Sequence, residues 1–550
     1  MPRSLLLRLR RSLAEEPWLW GVIVLTLLLR LPALGYGLPL MLVNDESPFT
    51  LAALKMLELH TLVPAFHQAE FEAILYYPPY LSYLYLPFFA VIVGVVYLMH
   101  GGTDFVAYLV SDLSPFFLAA RAINVGFALV SVYLVYRIGE RLFASRAAAL
   151  ATAFLLSTSL LHLSLSVVGR QWLPVSSLVL LALYILTDER LAERRRYLFA
   201  MLIAGVGMGF SAITVLLLPL IGLYWWCLGK ARLTTLLRDA SLWVGALGFL
   251  VLAALPSLLY PSSSGFLVDL TLYDPKSLTG FVAIPWNTFR ETLYSEPVLM
   301  LLGTLGGLAL LRRRGRLVAF FTLWVLLYAV VFYVFFRFEP RFLLPIVPLY
   351  ALLGGYAVVE LCRHRLGTVV VCVLLLVPLV ASMRLAYLGA DGDTRTKARS
   401  WTLAHLSPSD SVLVYAATTR VPTTARAVAE LRAIDPAAVR QVDKADEALD
   451  RELPHALNLF GVADDAFFAE LPRYARAHGY TYLLIEPSFA FDARGRGAAF
   501  APLTEGASVL ASWQGLGGEA SLDASAFPAP LYRLFSGAPL GPGVVIYRLD

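Results

Sequence analysis

The chain has 550 residues, of which 59% are apolar and 15% charged; 44 Lys or Arg against 39 Asp or Glu leave a formal charge of +5. Soluble domains run near 45–50% apolar and about 25% charged, so these figures, with a mean hydropathy of +0.70, exclude a water-soluble enzyme, a disordered chain and a disulfide scaffold. They describe a multi-span membrane protein with room for roughly ten or more helices and a soluble region.

Arg3, Arg8, Arg10 and Arg11 precede the first apolar run, at about 18–40. No small-residue cleavage site follows it, so it reads as a retained span with a cytoplasmic N-terminus. Further runs of spanning length fall at about 79–99, 116–136, 147–167, 173–187, 198–228, 241–260, 297–311, 317–336, 342–361 and 368–388. Between them lie basic loops: Arg137, Arg141 and Arg146; Arg190 and Arg194 to Arg196; Lys230, Arg232 and Arg238; Arg312 to Arg314 and Arg316; Arg363 and Arg365. With the N-terminal four, these loops hold 20 cations, and the positive-inside rule gathers them in the cytoplasm.

Parity then constrains the path. Asn44-Asp45-Glu46 emerges outside, and the 116–136 run must end inside at Arg137. The 79–99 run, with Pro79 and a mid-run Pro87, therefore makes no net crossing and reads as a re-entrant or interface-lying segment. The 198–228 stretch lies between two basic loops and must cross twice, turning near Gly209–Thr214. The count is about 11 crossings, with residues 389–550 outside. The outer loops are unequal: 41–115 is long, 168–172 is tiny, 261–296 is long, and 337–341 is Arg-Phe-Glu-Pro-Arg.

From Gly389 charges return and long apolar runs vanish. Ser411–Ala417, Tyr480–Ile485 and Val544–Leu549 read as strands, and Ala466–His478 as an amphipathic helix. Together they suggest one extracytoplasmic α/β domain over 389–550, beside a membrane domain over 1–388. The three cysteines, Cys227, Cys362 and Cys372, lie in or beside apolar segments, which leaves no disulfide framework or Cys-rich metal site. No Gly-rich phosphate loop, HExxH or nucleophile elbow is present, and no internal repeat supports an inverted-repeat transporter.

Asp45-Glu46 is the first place where chemistry is expected. Two carboxylates directly after a span are costly if they dip into the bilayer. One can act as general base on an acceptor hydroxyl or amine, its proton affinity raised by a low-dielectric rim. Equally, Asp45 or Ser47 can simply cap the helix running through Leu51–Leu59. Arg170, alone in a very short outer loop, can grip a phosphate with a forked pair of hydrogen bonds, or snorkel to headgroups. Arg121 can pair with Asp112 or Asp45, or touch the same phosphate. Arg337, Glu339 and Arg341 form a charged turn that is either net positive towards a phosphate or self-satisfied. Lys276 and Arg290 are weaker candidates. His67 near Glu70 and Glu72, and His162 near a span end, are either hydrogen-bonded structurally or part of a site. Tyr76, Tyr77, Tyr80, Tyr83 and Tyr85 can stack on sugar or form an interfacial belt, with Tyr76 and Tyr77 the best placed for a site.

Asn44-Asp45-Glu46 is followed by Ala52-Ala53-Leu54, Leu62-Val63-Pro64-Ala65-Phe66 and Tyr76-Tyr77-Pro78-Pro79-Tyr80-Leu81. This pattern resembles the first outer loop of the GT-C glycosyltransferases, in particular the branch of the protein O-mannosyltransferases and the aminoarabinose transferases of lipid A. Leu28-Leu29-Arg30-Leu31-Pro32 in the first span, Tyr136-Arg137-Ile138-Gly139, and Arg341-Phe342-Leu343-Leu344-Pro345 with Pro348 agree with it. The resemblance covers about 18–390 and is most specific in the first loop.

It implies a GT-C-like fold and an inverting transfer of sugar from a polyprenyl-phosphate donor to an acceptor on the extracytoplasmic face. Asp45 is the matching base, with Glu46 beside it. Arg170, Arg121, Arg337 and Arg341 face the donor phosphate; Tyr76, Tyr77, His67 and Glu70 face sugar or acceptor. Many relatives carry a second acid in the next outer loop, whereas Val168-Gly169-Arg170-Gln171-Trp172 has none, unless Glu70, Glu72 or Asp104 replaces it. Hard cations want several oxygens, so no cofactor is expected; a divalent cation stays open, without a second outer-loop acid to support it. The expected partners are the lipid-linked donor, an acceptor of unknown class and membrane lipid, not nucleic acid. The expected location is a bacterial plasma membrane. The competing readings are an inert GT-C-like protein and a transporter or flippase for a lipid-linked glycan.

Overall fold

The computed structural model describes residues 15–43, 45–72, 74, 77–101, 105–230, 232–260, 286, 290, 292–335, 340–449, 451–487, 496–516 and 534–549. Asn44, Tyr76, Asp104, Lys276, Arg337 and Glu339 lie outside them. The chain is an integral membrane protein. By length and composition, six described helices can cross a membrane: Tyr80–His100, Ser114–Phe143, Ala240–Leu259, Pro297–Val331, Arg341–Leu361 and Arg365–Asp391. A seventh span results if Arg146–Ser157 and Leu160–Ser166, bent by 58°, count as one, and shorter apolar helices cover Pro17–Ala33, Trp172–Leu186 and Ala212–Leu228.

Small residues let these helices approach closely. A Cβ on Gly306 would run into the Leu353 carbonyl, and one on Gly355 would run into Thr152. The bend after Ser157 contains no proline. There Ser159 caps the second half by accepting from the His162 backbone, 3.2 Å. Carbonyls freed at the break are taken by other helices: Ser382 Oγ donates to Thr158 O at 2.6 Å and Arg30 Nη1 to Ser157 O at 3.2 Å. Buried Glu296 accepts from Ser159 Oγ at 2.6 Å and Leu161 N at 2.9 Å. A broken span inside a bilayer needs such internal partners, because lipid offers none.

The two runs expected at 297–311 and 317–336 join in one helical stretch, Pro297–Phe335, interrupted by non-helical Arg314 at φ −141°, ψ 54°. The stretch expected to turn near Gly209–Thr214 does so, through a 3-10 segment at Ala212–Leu216 after Glu193–Met208. Helix Tyr80–His100 starts against the turn that follows Glu193–Met208. Its Tyr80 N donates to Gly209 O at 2.9 Å. Midway, Phe89 packs edge-on to Phe116 at 5.0 Å, and near the end Tyr97 meets Phe105 at 5.3 Å. The basic residues Arg137 and Arg141 close the opposite end of Ser114–Phe143.

Beyond the bundle, a five-stranded sheet has the order β2-β1-β3-β5-β4, with β1 Ser411–Tyr415, β2 His455–Asn458, β3 Tyr482–Ile485, β4 Ser508–Trp513 and β5 Val544–Arg548. β1 runs parallel to β2 and β3, and β5 is antiparallel to β3 and β4. Leu413, Tyr415 and Leu483 pack on Phe468 and Phe500 on one face. Val412, Val414 and Leu484 pack with Ala398 and Leu406 on the other. Cover on both faces explains the unbroken apolar run of β1. The helix expected at Ala466–His478 is two short ones, Asp465–Ala469 and Leu471–Ala477. Pro472, at the start of the second, has no N–H to continue the first. The sheet region meets the bundle through Tyr36, whose hydroxyl donates to buried Asp393 at 2.8 Å. Arg451 adds a 2.7 Å bond to Ser111.

Candidate active site

The site is built where the first span's exit meets the helix Ser114–Phe143 and the loop 167–171. Neighbouring carboxylates take opposite directions there. Glu46 turns inward and is fully buried with Arg121. Arg121 Nε and Nη2 each donate to a Glu46 oxygen at 2.7 Å. Its Nη1 donates to Leu34 O and Tyr36 O, both at 2.7 Å. Four of the five guanidinium N–H groups are thus committed. Gly169 N gives Glu46 Oε1 a further bond of 2.5 Å.

Asp45 sits at φ +58°, a left-handed conformation rare outside glycine but tolerated by Asp. Its carboxylate keeps 28% exposure and takes Arg170 Nη2 at 2.9 Å, with Arg341 Nη2 at 3.8 Å. Arg170 is itself buried, at 1% side-chain exposure. Asn124, one turn along the helix from Arg121, holds the loop that carries Arg170. Its Nδ2 donates to Val168 O at 2.5 Å and Arg170 O at 2.7 Å. Arg341 lies 5.5 Å from the Phe342 ring, which packs on Trp172 at 5.1 Å. The aromatic pair thus ties the two cation-bearing loops together.

Two of the expected site residues are enclosed in this geometry. Arg121, expected at the donor phosphate, is enclosed and committed to Glu46 and two carbonyls, so it anchors the loop. Glu46, expected beside Asp45 in catalysis, is sealed by Arg121 and Gly169. The helix-cap alternative fails as well: Glu46 occupies the N-cap of Ser47–Glu58, and no side chain caps it. Asp45, Arg170 and Arg341 do converge. Arg337 and Tyr76 lie outside the described residues. Tyr77 stacks on Phe49 at 5.1 Å within the first loop. His67, half-buried, ends the 3-10 turn Pro64–His67, and Glu70 is exposed in the short helix Gln68–Phe71. Among the described residues, neither is hydrogen-bonded or ion-paired to Asp45, Arg170 or Arg341. His162 is buried against Arg30, Nδ1 to Nη2 2.7 Å, in the support beneath the loop. No group of three or more His, Cys, Asp or Glu able to hold a metal occurs among the described residues.

The loop without a carboxylate thus gives the first-loop acids a cation and a backbone N–H. Asn124 and Gly169 escaped the sequence reading. Asn124 left a trace as an amide three residues after Arg121 in an apolar helix; Gly169 left none.

Residues 103–260 match the dolichyl-phosphate-mannose-protein mannosyltransferase family. No curated protein matches the chain in sequence. Among solved structures, the chain is similar to ArnT from Cupriavidus metallidurans bound to undecaprenyl phosphate, at 14% identity and a TM-score of 0.50, covering 90% of this chain and 96% of that one. The apo oligosaccharyltransferase of Archaeoglobus fulgidus aligns at 12% identity and TM-score 0.44, over 92% and 74% of the two chains. The arabinofuranosyltransferase AftD from Mycobacteria aligns at 16% and 0.44, over 97% and 40%. The likeness to ArnT is one of fold, and the family match covers residues 103–260 of this chain.

Proposed function

We propose that the protein is an inverting glycosyltransferase that moves a sugar from a polyprenyl-phosphate donor to an acceptor at the end of the bundle bearing Asp45. The observation that carries this reading is the arrangement around Asp45: a partly open carboxylate facing two guanidiniums, one buried and one nearly so. Asp45 takes the proton of the acceptor hydroxyl or amine as that atom attacks the sugar's anomeric carbon. The bond from that carbon to the phosphate oxygen breaks on the opposite face, and Arg170 and Arg341 neutralise the departing phosphate. The structure of ArnT with undecaprenyl phosphate supports a lipid phosphate as donor carrier.

The same reading places the Arg-rich end in the cytoplasm, with a cytoplasmic N-terminus and about 11 crossings. Residues 389–550 form an extracytoplasmic domain above the site, and the membrane is a bacterial plasma membrane. In this reading Tyr80–His100 is the interface-lying segment that the topology needs.

The test is transfer from a panel of radiolabelled polyprenyl-phosphate sugars to membrane extract, with wild type beside Asp45→Asn. Losing a general base costs about 10²-fold or more. Label moved by wild type and lost in the mutant supports the reading and names the sugar. A folded Asp45→Asn protein of full activity removes Asp45 from the mechanism.

A further inference from the structure

At the end of the bundle opposite Asp45 lies a cavity of about 680 Å³. About 20 residues of one helix separate Arg121 from Arg141 on its wall, roughly 30 Å at 1.5 Å per residue. The cavity therefore has no part in the transfer site. Three separate places supply its cations: Arg141 in the last turn of Ser114–Phe143, Arg190 before Glu193–Met208, and the Arg313 to Arg316 stretch where the long helix breaks.

The acids on the wall do not balance these cations. Asp188 is taken by Arg141 at 3.1 Å, and Glu189 by Lys230 at 3.0 Å. Arg141 is further fixed by Tyr184, donating to its carbonyl at 2.7 Å and lying 3.9 Å from its ring. Arg313 is turned to Glu360 at 2.7 Å, and Arg314 donates to the Leu142 carbonyl. Asp188 also accepts from the Arg190 backbone N–H at 3.2 Å, but among the described residues no acid is ion-paired with the side chain of Arg190 or Arg316. Leu142, Tyr224, Leu228 and Leu317 complete the wall with apolar surface. The site thus combines a positive rim with an apolar side, within a membrane-spanning bundle.

We propose that this cavity binds the phosphate headgroup of an anionic phospholipid from the leaflet at that end, with Arg190 and Arg316 on the phosphate and the acyl chains along Leu142, Leu228 and Leu317. An ordinary excess of loop cations attracts anionic lipid diffusely, at about 1 kcal/mol per cation. A bound headgroup instead distinguishes residues by position. Arg316 lines the cavity, whereas exposed Arg312, four residues earlier, does not.

The experiment is native mass spectrometry of the purified full chain in detergent, titrated with phosphatidylglycerol or phosphatidylcholine. Arg316→Gln is compared with Arg312→Gln, Arg190→Gln/Arg316→Gln and Arg316→Lys. Expected is a retained phosphatidylglycerol whose apparent affinity falls about fivefold in Arg316→Gln and further in the double variant, the fivefold step being the ~1 kcal/mol of one cation. Arg312→Gln should leave it unchanged, Arg316→Lys should retain most of it, and phosphatidylcholine should be held more weakly throughout. Thermal unfolding without added lipid checks that the variants fold. Equal losses in Arg312→Gln and Arg316→Gln, or equal retention of phosphatidylcholine, overturn the proposal. So does displacement of the lipid by millimolar inorganic phosphate, which would make the site one for a small free anion.

Discussion

Glu46 and Arg121 form a two-pronged ion pair from which solvent is wholly excluded, directly beside a carboxylate that stays partly open. Removing one partner of a buried pair leaves an uncompensated charge, at about 3–5 kcal/mol. Glu46→Gln should therefore lower thermal stability by that order, and any loss of activity should follow the folded fraction. Asp45→Asn should do the reverse, keeping stability and losing transfer. Melting curves and activity per folded molecule, measured on both variants, check the division; equal melting temperatures would refute it.

Arg170 and Arg341 are expected to act on donor binding. A hydrogen bond to a charged group contributes about 1.5–3 kcal/mol, so Arg170→Gln and Arg341→Gln should each raise the donor KM about 10-fold or more. Donor titrations at saturating acceptor measure this. An unchanged KM would mean that the two cations serve only to hold Asp45.

Gly169 sits where a side chain has no room. A Cβ there would lie 3.0 Å from Glu46 Oε1 and 3.1 Å from Ala120 Cβ. Gly169→Ala should cost about 1–3 kcal/mol, the usual scale of overpacking, and weaken the Gly169 N to Glu46 bond. Thermal unfolding reports the cost. Its absence would show that the loop shifts freely.

The sheet region carries a titratable cluster outside the membrane. Burial pushes the Glu430 carboxyl up, but hydrogen bonds from His455, Tyr474 and Tyr480 outweigh it and hold the group down at about 2, from an ordinary 4.5. Both tyrosine hydroxyls donate at 2.6 Å. A carboxylate with a depressed folded pKa adds stability above its unfolded pKa, and that stability is lost as pH falls through the folded value. The sheet region should therefore weaken between about pH 4.5 and 2, by about 1–3 kcal/mol. Glu430→Gln should be weaker at neutral pH and flat over that window, as acid unfolding followed by tyrosine fluorescence would show.

The helices were legible because apolar runs of spanning length have few other uses. Strands β1, β3 and β5 were legible as short apolar runs between polar ones. β2 (HALN) and β4 (SVLASW) were not: the first has only two apolar residues, between a His and an Asn, and Ser508, Val509 and Leu510 of the second are exposed. Asp45 stood out through its loop pattern, and Arg170 as a lone cation in a five-residue loop; the structure brings the two together at 2.9 Å. The burial of Glu46 with Arg121 was hidden for a tertiary reason. Sequence showed two adjacent acids, but which one turns inward depends on the left-handed backbone at Asp45. Partner choice for Arg121 follows from that turn. The single-residue break at Arg314 was likewise hidden, since a basic stretch reads as a loop whether one residue or five leave the helix.

The bond between Tyr36 and Asp393 joins residues 357 positions apart. A ribosome makes the chain from the N-terminus, so the site is assembled in a fixed sequence. Glu46 can close on Arg121 once the third apolar run has emerged. Asp45 gains Arg170 next and Arg341 much later. Tyr36, whose carbonyl already holds Arg121, finds Asp393 only after the last membrane helix is complete. Nascent chains stopped before Arg341 can thus hold a folded first loop around an Asp45 still short of its second cation.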